Sequence, residues 1–400
     1  MRTQFICLAL TIVLLCPFAS AQWVQTNSPA NVYCFTISGT NVFAGTDDGV
    51  FLSSNNGTSW TAATSGLADT LVLSLAASGT NLFAGSAFGA VFLSTSNGTS
   101  WTVANSGLPK TTVYSLAVSG TNLFAGAENG VFLSTNIGTS WTEVDSGLTD
   151  TYVNCLSVSG ANLFAGTMGG GVFLSTNNGT TWTAVNTGLT GGVYSLAVSG
   201  KNLFAGGSDG VFLSTNNGTA WTAINNGLTD HYLKALAVSS TNLFAGTNGG
   251  VFLSTNNGAS WTGVNEGLMW TGGSGTLEVS GANLLLGTCF RGIWRRALSE
   301  MITMVNVVSG DVPTIFRLEQ NYPNPFNPNS EIRYQISEFR IVKLSVYDLL
   351  GREVSVLVNE QKAPGSYSVT FDGTGLSSGV YFYRLTAGDF VATKRLLLLK

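Results

Sequence analysis

The sequence predicts an all-β chain, a seven-bladed β-propeller followed by a small immunoglobulin-like β-sandwich, and three observations carry that expectation. A unit of about 40 residues recurs, with Trp60, Trp101, Trp141, Trp182, Trp221 and Trp261 at spacings of 41, 40, 41, 39 and 40. Each unit divides into four short apolar runs separated by turns rich in Gly, Asn, Asp and Thr. From Phe316 onward the repeat stops, and ten of the seventeen Lys and Arg residues follow.

One unit serves for all. Its runs are 193–199 (strand A), 202–206 (B), 210–215 (C) and 220–225 (D). Apolar runs of this length bounded by turn residues read as strands. Several are apolar on both alternating faces, so the sheets must be covered on both sides. A four-stranded repeat of that kind is the pattern of propeller blades. Strand B begins seven times, at Asn41, Asn81, Asn122, Asn162, Asn202, Asn242 and a diverged Asn283. The last strand C, around Gly292-Ile-Trp, has no strand D after it, whereas Trp23-Val-Gln-Thr at the other end has no partners before it. The Trp23 segment is therefore expected to complete the seventh blade, which closes the ring and removes an open sheet edge.

The ends of the chain read differently. Arg2, the apolar run 5–18 and Ala19-Ser20-Ala21 form an export signal with an A-x-A cleavage site, too short to span a membrane. The expected organisation is signal 1–21, propeller 22–298, linker 299–315 and C-terminal domain 316–400. Of five cysteines, removal of the signal leaves Cys34, Cys155 and Cys289, which match no metal spacing. Cys34 and Cys289 both fall near the ring closure, where a disulfide is conceivable.

The turn before each Trp, as in Ser175-Thr-Asn-Asn-Gly-Thr-Thr-Trp182, resembles the Asp-box of sialidase-type propellers, sortilin-like domains and a photosystem assembly factor family, with Asn in place of Asp. The resemblance implies a structural role for Asn55, Gly57, Trp60, Asn136, Trp141, Asn177, Gly179, Trp182, Asn216, Trp221, Asn256 and Trp261. The residues themselves agree. Asn caps a turn through backbone N–H groups, Gly takes positive φ, and Trp packs beneath.

The tail holds Leu318-Glu-Gln-Asn-Tyr-Pro-Asn-Pro-Phe-Asn-Pro328, the block around Tyr347-Asp-Leu-Leu-Gly-Arg352, Gly365-Ser-Tyr-Ser-Val, Gly379-Val-Tyr-Phe-Tyr and a basic end. It closely resembles the type A C-terminal sorting domain of the type IX secretion system. The resemblance implies a small β-sandwich, recognition by that secretion machinery, and a destination at the cell surface or in the medium. The same residues read on their own as about six alternating strands with Pro, Asn and Gly turns.

Chemistry is sparse. Charged residues make up 10% of the chain, its net charge is -4, and no arginine lies between Arg2 and Arg291. That excludes a phosphate-tracking surface, so no nucleic-acid partner is expected. It also withholds the arginine cluster with which sialidases grip a carboxylate. His231 is the only histidine. It can build neither a His-rich metal site nor, without an elbow-borne nucleophile, a triad. No catalytic residue, metal or cofactor is expected, and the chain reads as a monomer.

The repeats also compare themselves. Strand C and the Trp turn scarcely vary, whereas the B–C turns and D–A loops do, and in a meander those share one face. Strand A begins beside them, so Tyr33, Tyr114, Asn154, Tyr194 and Lys234, with Tyr152, Tyr232 and Trp270, form the candidate ligand site. A non-catalytic module binding a glycan or a surface protein is the expected function. The alternative is a glycoside hydrolase or lyase using loop carboxylates such as Asp69, Asp150 and Asp230.

Overall fold

A computed structural model describes residues 22–29, 31–269, 274–302, 315–337, 340–362 and 365–400. The export signal and most of the expected linker lie outside these residues.

The described residues up to 302 carry seven four-stranded antiparallel sheets. The first is a meander of Val32–Ser38, Asn41–Thr46, Gly49–Ser53 and Thr61–Ala62. Five more follow the same plan, with innermost strands Val72–Ser78, Val113–Ser119, Val153–Ser159, Val193–Ser199 and Leu233–Ser239. The seventh joins Ser274–Ser280, Asn283–Thr288 and Gly292–Ala297 to a strand that precedes the first sheet, Val24–Gln25. There Val24 pairs with Arg295 and Gln25 with Trp294. Each innermost strand touches the next, and Ser274–Ser280 touches Val32–Ser38, so the sheets run in a closed circle.

The circle holds because each sheet buries both faces. Phe43 and Val50 of the first sheet pack on Val72, Leu82, Phe92 and Trp101 of the second, and the pattern recurs around the ring. Within Asn-Leu-Phe-Ala-Gly, the glycine is a close-approach position. A Cβ on Gly85 would stand 2.6 Å from Val113 Cγ1, and one on Gly287 would stand 2.7 Å from Val32 Cγ1 across the closure. Only a residue without a side chain lets the next innermost strand come this near.

The Trp turn is built as its residue types suggest, with one further member. Asn55 Oδ1 accepts from the Ser59 backbone N–H at 3.0 Å, and the buried Ser53 Oγ accepts from the Gly57 N–H at 2.9 Å. The same two bonds recur at Asn136, Asn177, Asn216 and Asn256 with Ser134, Ser175, Ser214 and Ser254. The residue before the glycine also has positive φ, at Asn56, Asn97, Asn178, Asn217 and Asn257. In one turn it is Ile137, at φ 53°, where a β-branched side chain is strained.

Strand D is shorter than expected. The fifth unit pairs only over Thr222–Ala223, because Trp221 turns away to the neighbouring sheet. Its indole N–H donates to Val185 O at 2.7 Å and its backbone N–H to Thr187 O at 2.8 Å. The three remaining cysteines are free. Cys34 points its sulfur over Gly45 of its own sheet and not toward Cys289. Burial pushes the Cys34 thiol up, and pushes that of Cys155 up to about 12, so neither is a ready nucleophile.

The tail forms seven strands in two sheets, one more strand than expected. Arg317–Leu318, Asn329–Ile336 and Gly365–Asp372 make one, and Glu353–Lys362, Arg340–Tyr347, Gly379–Ala387 and Phe390–Leu398 the other. Ile332, Tyr334, Val342, Leu344, Tyr383 and Leu396 fill a single core. The Asn-Tyr-Pro-Asn-Pro block ties that core to the chain end. Tyr383 Oη accepts from the Asn321 N–H at 2.8 Å and donates to Glu319 O at 2.6 Å, while Asn324 Oδ1 accepts from the Leu397 N–H at 2.9 Å.

Candidate functional site

Every innermost strand carries an irregularity in register near its start. Val32 pairs with Thr46 and Cys34 with Gly45, which leaves Tyr33 as an extra, unpaired residue. The same bulge falls on Leu73, Tyr114, Asn154, Lys234, Tyr194 and Gly275 in the other sheets. A bulge bends its strand and re-aims the side chain it carries. All seven bulged residues line one central cavity of about 210 Å³, together with smaller residues such as Ser74, Ser115, Cys155 and Ser195.

Five of the eight expected ligand residues, Tyr33, Tyr114, Asn154, Tyr194 and Lys234, therefore meet at this cavity. Tyr152 and Tyr232 join them by pairing across neighbouring sheets. The Tyr114 and Tyr152 rings stack with centroids 5.0 Å apart, and their hydroxyls hydrogen-bond. Tyr194 and Tyr232 pair two sheets on with tilted rings, their centroids 5.4 Å apart. Trp270 lies outside the described residues. Asn154 is committed inward, its Nδ2 donating to Val193 O at 2.9 Å.

The electrostatics follow from the turns. Tyr33 is raised above the ordinary phenol value by burial and then by Asp47, and Tyr152 is pushed up to about 12 by burial, the Tyr114 hydroxyl and Glu128. Tyr194 is raised first by its bond to Tyr232, then by burial and Asp209. These phenols stay neutral and act as rings and hydroxyls. Asp47 accepts from Asn31 Nδ2 at 2.5 Å, but its other carboxylate oxygen is buried without a hydrogen-bond partner among the described residues.

The D–A loop carboxylates are occupied. Asp69 accepts from the N–H groups of Leu71 and Phe88, both at 3.2 Å, and Asp230 from that of Tyr232 at 2.9 Å. Asp150 accepts from Tyr152 at 3.1 Å and from Gly169 and Gly170 at 2.7 Å. Burial pushes the Asp150 carboxyl up, but those N–H groups outweigh it and hold the group below the usual range. Among the described residues no cluster of three or more His, Cys, Asp or Glu side chains could hold a metal.

Sequence reading missed Glu278. It lies on the innermost strand of the seventh sheet, opposite Leu285. Burial pushes its carboxyl up to about 7 against one favourable backbone hydrogen bond from Val279. The signal was in the repeats, because the same position holds Thr36, Ala76, Ala117, Ser157, Ala197 or Ala237, each opposite a Phe. Glu278 is not among the residues lining the cavity.

Comparison with known proteins separates the two parts. Residues 320–399 match the secretion system C-terminal sorting domain family. A tail of this family marks the chain for type IX secretion to the cell surface or the medium, with the secretion machinery as partner. Among the described residues no helix is long and apolar enough to cross a membrane. No curated protein matches the sequence. Solved structures resemble the fold. The extracellular domain of the hybrid two-component system BT3049 from B. thetaiotaomicron is 14% identical with a TM-score of 0.61, over 94% of this chain and 57% of that one. YCF48 bound to D1 peptide is 14% identical with a TM-score of 0.56, over 70% of this chain and 96% of that one. The WD40 β-propeller domain of Doa1 is 12% identical with a TM-score of 0.57, over 69% and 95%. At these identities the likeness is one of fold, a β-propeller of repeated four-stranded sheets.

Proposed function

We propose that the chain is an exported, non-catalytic binding module. In this reading residues 22–298 are a seven-bladed propeller of the Asp-box kind, and residues 316–400 an immunoglobulin-like sandwich that serves export. The ligand, a glycan or a surface protein, binds the face formed by the B–C turns and D–A loops. One observation carries the reading: all seven bulges aim their residues at the same cavity, on the side where the repeats differ most. A scaffold kept uniform elsewhere has no packing reason to vary there. The extracellular setting of the sensor domains it resembles, and the peptide held by YCF48, agree with a recognition role for such folds. The D–A loop carboxylates Asp69, Asp150 and Asp230 are spent on capping their own loops.

The test is a glycan, surface-polymer and peptide screen of the exported protein beside its Tyr114→Ala/Tyr194→Ala variant. Ligands held by the wild type should weaken at least tenfold with the variant. Retention undiminished in the variant would place the site elsewhere.

A further inference from the structure

The rim is not seven-fold. Its bulged aromatic residues stand on alternate sheets, the first, third and fifth, as Tyr33, Tyr114 and Tyr194. In each of these sheets the B–C turn beside the tyrosine carries a carboxylate. The last ladder pairs are Val32 with Thr46, Val113 with Ala127 and Val193 with Gly207. Asp47, Glu128 and Asp209 thus follow within two residues on the turn, next to the bulged tyrosine. The even sheets have no such pair, presenting Leu73, Asn154 and Lys234.

A ring face beside a carboxylate is the chemistry that holds a cation. The ring quadrupole attracts positive charge and the carboxylate completes the attraction. Several features say these stations are unsatisfied within the chain. Asp47 accepts from Asn31 and makes no ion pair among the described residues. Glu128 and Asp209 are exposed and make no ion pair among the described residues. The phenols beside all three are pushed up, Tyr33 and Tyr152 first by burial and Tyr194 first by its bond to Tyr232, with Asp47, Glu128 and Asp209 adding to the effect. Around the rim, carboxylates outnumber Lys110, Lys234 and Arg291.

The rim is also apolar. Of eight large apolar side chains exposed among described residues up to 302, five stand on this face: Phe88, Met168, Tyr232, Met269 and Phe290. Protruding Phe and Met side chains suit contact with other side chains better than with sugar hydroxyls.

We propose that this face binds a protein segment bearing lysine or arginine among apolar residues, its cations seated at Tyr33/Asp47, Tyr114–Tyr152/Glu128 and Tyr194–Tyr232/Asp209. The proposal rests on the binding-face reading and names its ligand. The three stations, two sheets apart, take successive basic side chains of one segment crossing the cavity, and Lys234 marks the side where no cation is seated.

The test uses the whole exported protein and three immobilised dodecapeptides, alike in apolar content, with four positions occupied by lysine, norleucine or glutamate. The lysine peptide should bind at least tenfold more tightly than either other and weaken with salt. Glu128→Gln/Asp209→Asn should abolish that preference. Glu143→Gln/Glu300→Gln, which removes two carboxylates from an outer strand and from beyond the last strand C, should leave it unchanged. Equal loss in both variants would reduce the effect to net charge and overturn the proposal. So would tighter binding of the glutamate peptide or of an oligosaccharide; if Tyr114→Ala/Tyr194→Ala still weakened that binding, the face would stand as a binding site. Silence from every probe, or full binding by the tyrosine variant, overturns both readings.

Discussion

Glu278 shows how much one residue can depart from its repeat. Six sheets set a small residue opposite a Phe on the innermost ladder, and the seventh sets Glu278 opposite Leu285. The exchange roughly conserves volume, but it places a carboxyl where burial disfavours its charge. Its pKa of about 7 lies above the ordinary value, so folding favours the protonated form. The stabilising effect is fully present below about pH 4.5 and is lost as pH rises through about 7. A shift of that size corresponds to at most about 3 kcal/mol. Denaturant titrations should show stability falling between those pH values, and Glu278→Gln should flatten that part of the profile. An unchanged slope in Glu278→Gln would assign the fall to other groups. The substitution was open to inspection in the repeats, but the burial that gives it meaning depends on the neighbouring sheet.

At the scale of the element, the Trp turn was legible and its reach was not. Its Asn, Gly and Trp have local reasons to be there, and the turn forms as those reasons require. Yet Trp101 donates its indole N–H to Ala63 O of the preceding sheet at 2.8 Å, and Trp23, Trp141, Trp182, Trp221 and Trp261 do likewise. Trp60 is the exception. Its indole nitrogen is buried without a hydrogen-bond partner among the described residues, where the first sheet packs on Leu285 and Ile293 of the seventh. Trp101→Phe deletes a bond and strands a carbonyl, whereas Trp60→Phe removes a stranded donor. The first should cost about 1–3 kcal/mol more than the second in equilibrium unfolding. Equal losses would mean the indole bonds contribute nothing beyond packing. The bulges were likewise invisible beforehand. Strand A reads as an unbroken apolar run, and only pairing with strand B reveals the extra residue.

For the whole molecule, closure is the decisive event. Trp23 is buried, its indole donates to Val264 O at 2.7 Å, and its backbone N–H donates to Glu266 O at 2.8 Å. Thr26 and Ser28 make further bonds to Ile293. Deleting residues 22–28 strips the outer strand from the seventh sheet and unclamps the last sheet from the first. The deletion should lower the melting temperature by about 10 °C or more, on the scale of several kcal/mol for a domain this size, and should raise exposure of Trp294. A melting temperature within a degree of the wild type would mean that the ring holds without its clasp. The sequence by itself determined the number of strand units, the turn chemistry, the pairing of the two ends of the repeat region in one sheet and the export tail, because each is written in local pattern or in spacing. Only the tertiary structure decided that a register slip aims each innermost strand's residue into the cavity, that Tyr114 packs on Tyr152 and Tyr194 on Tyr232, and that one glutamate is held in a poorly solvated place. Those depend on register slips, on sheets approaching to within a side chain's width, and on the loss of water between them, none of which a single strand's pattern contains.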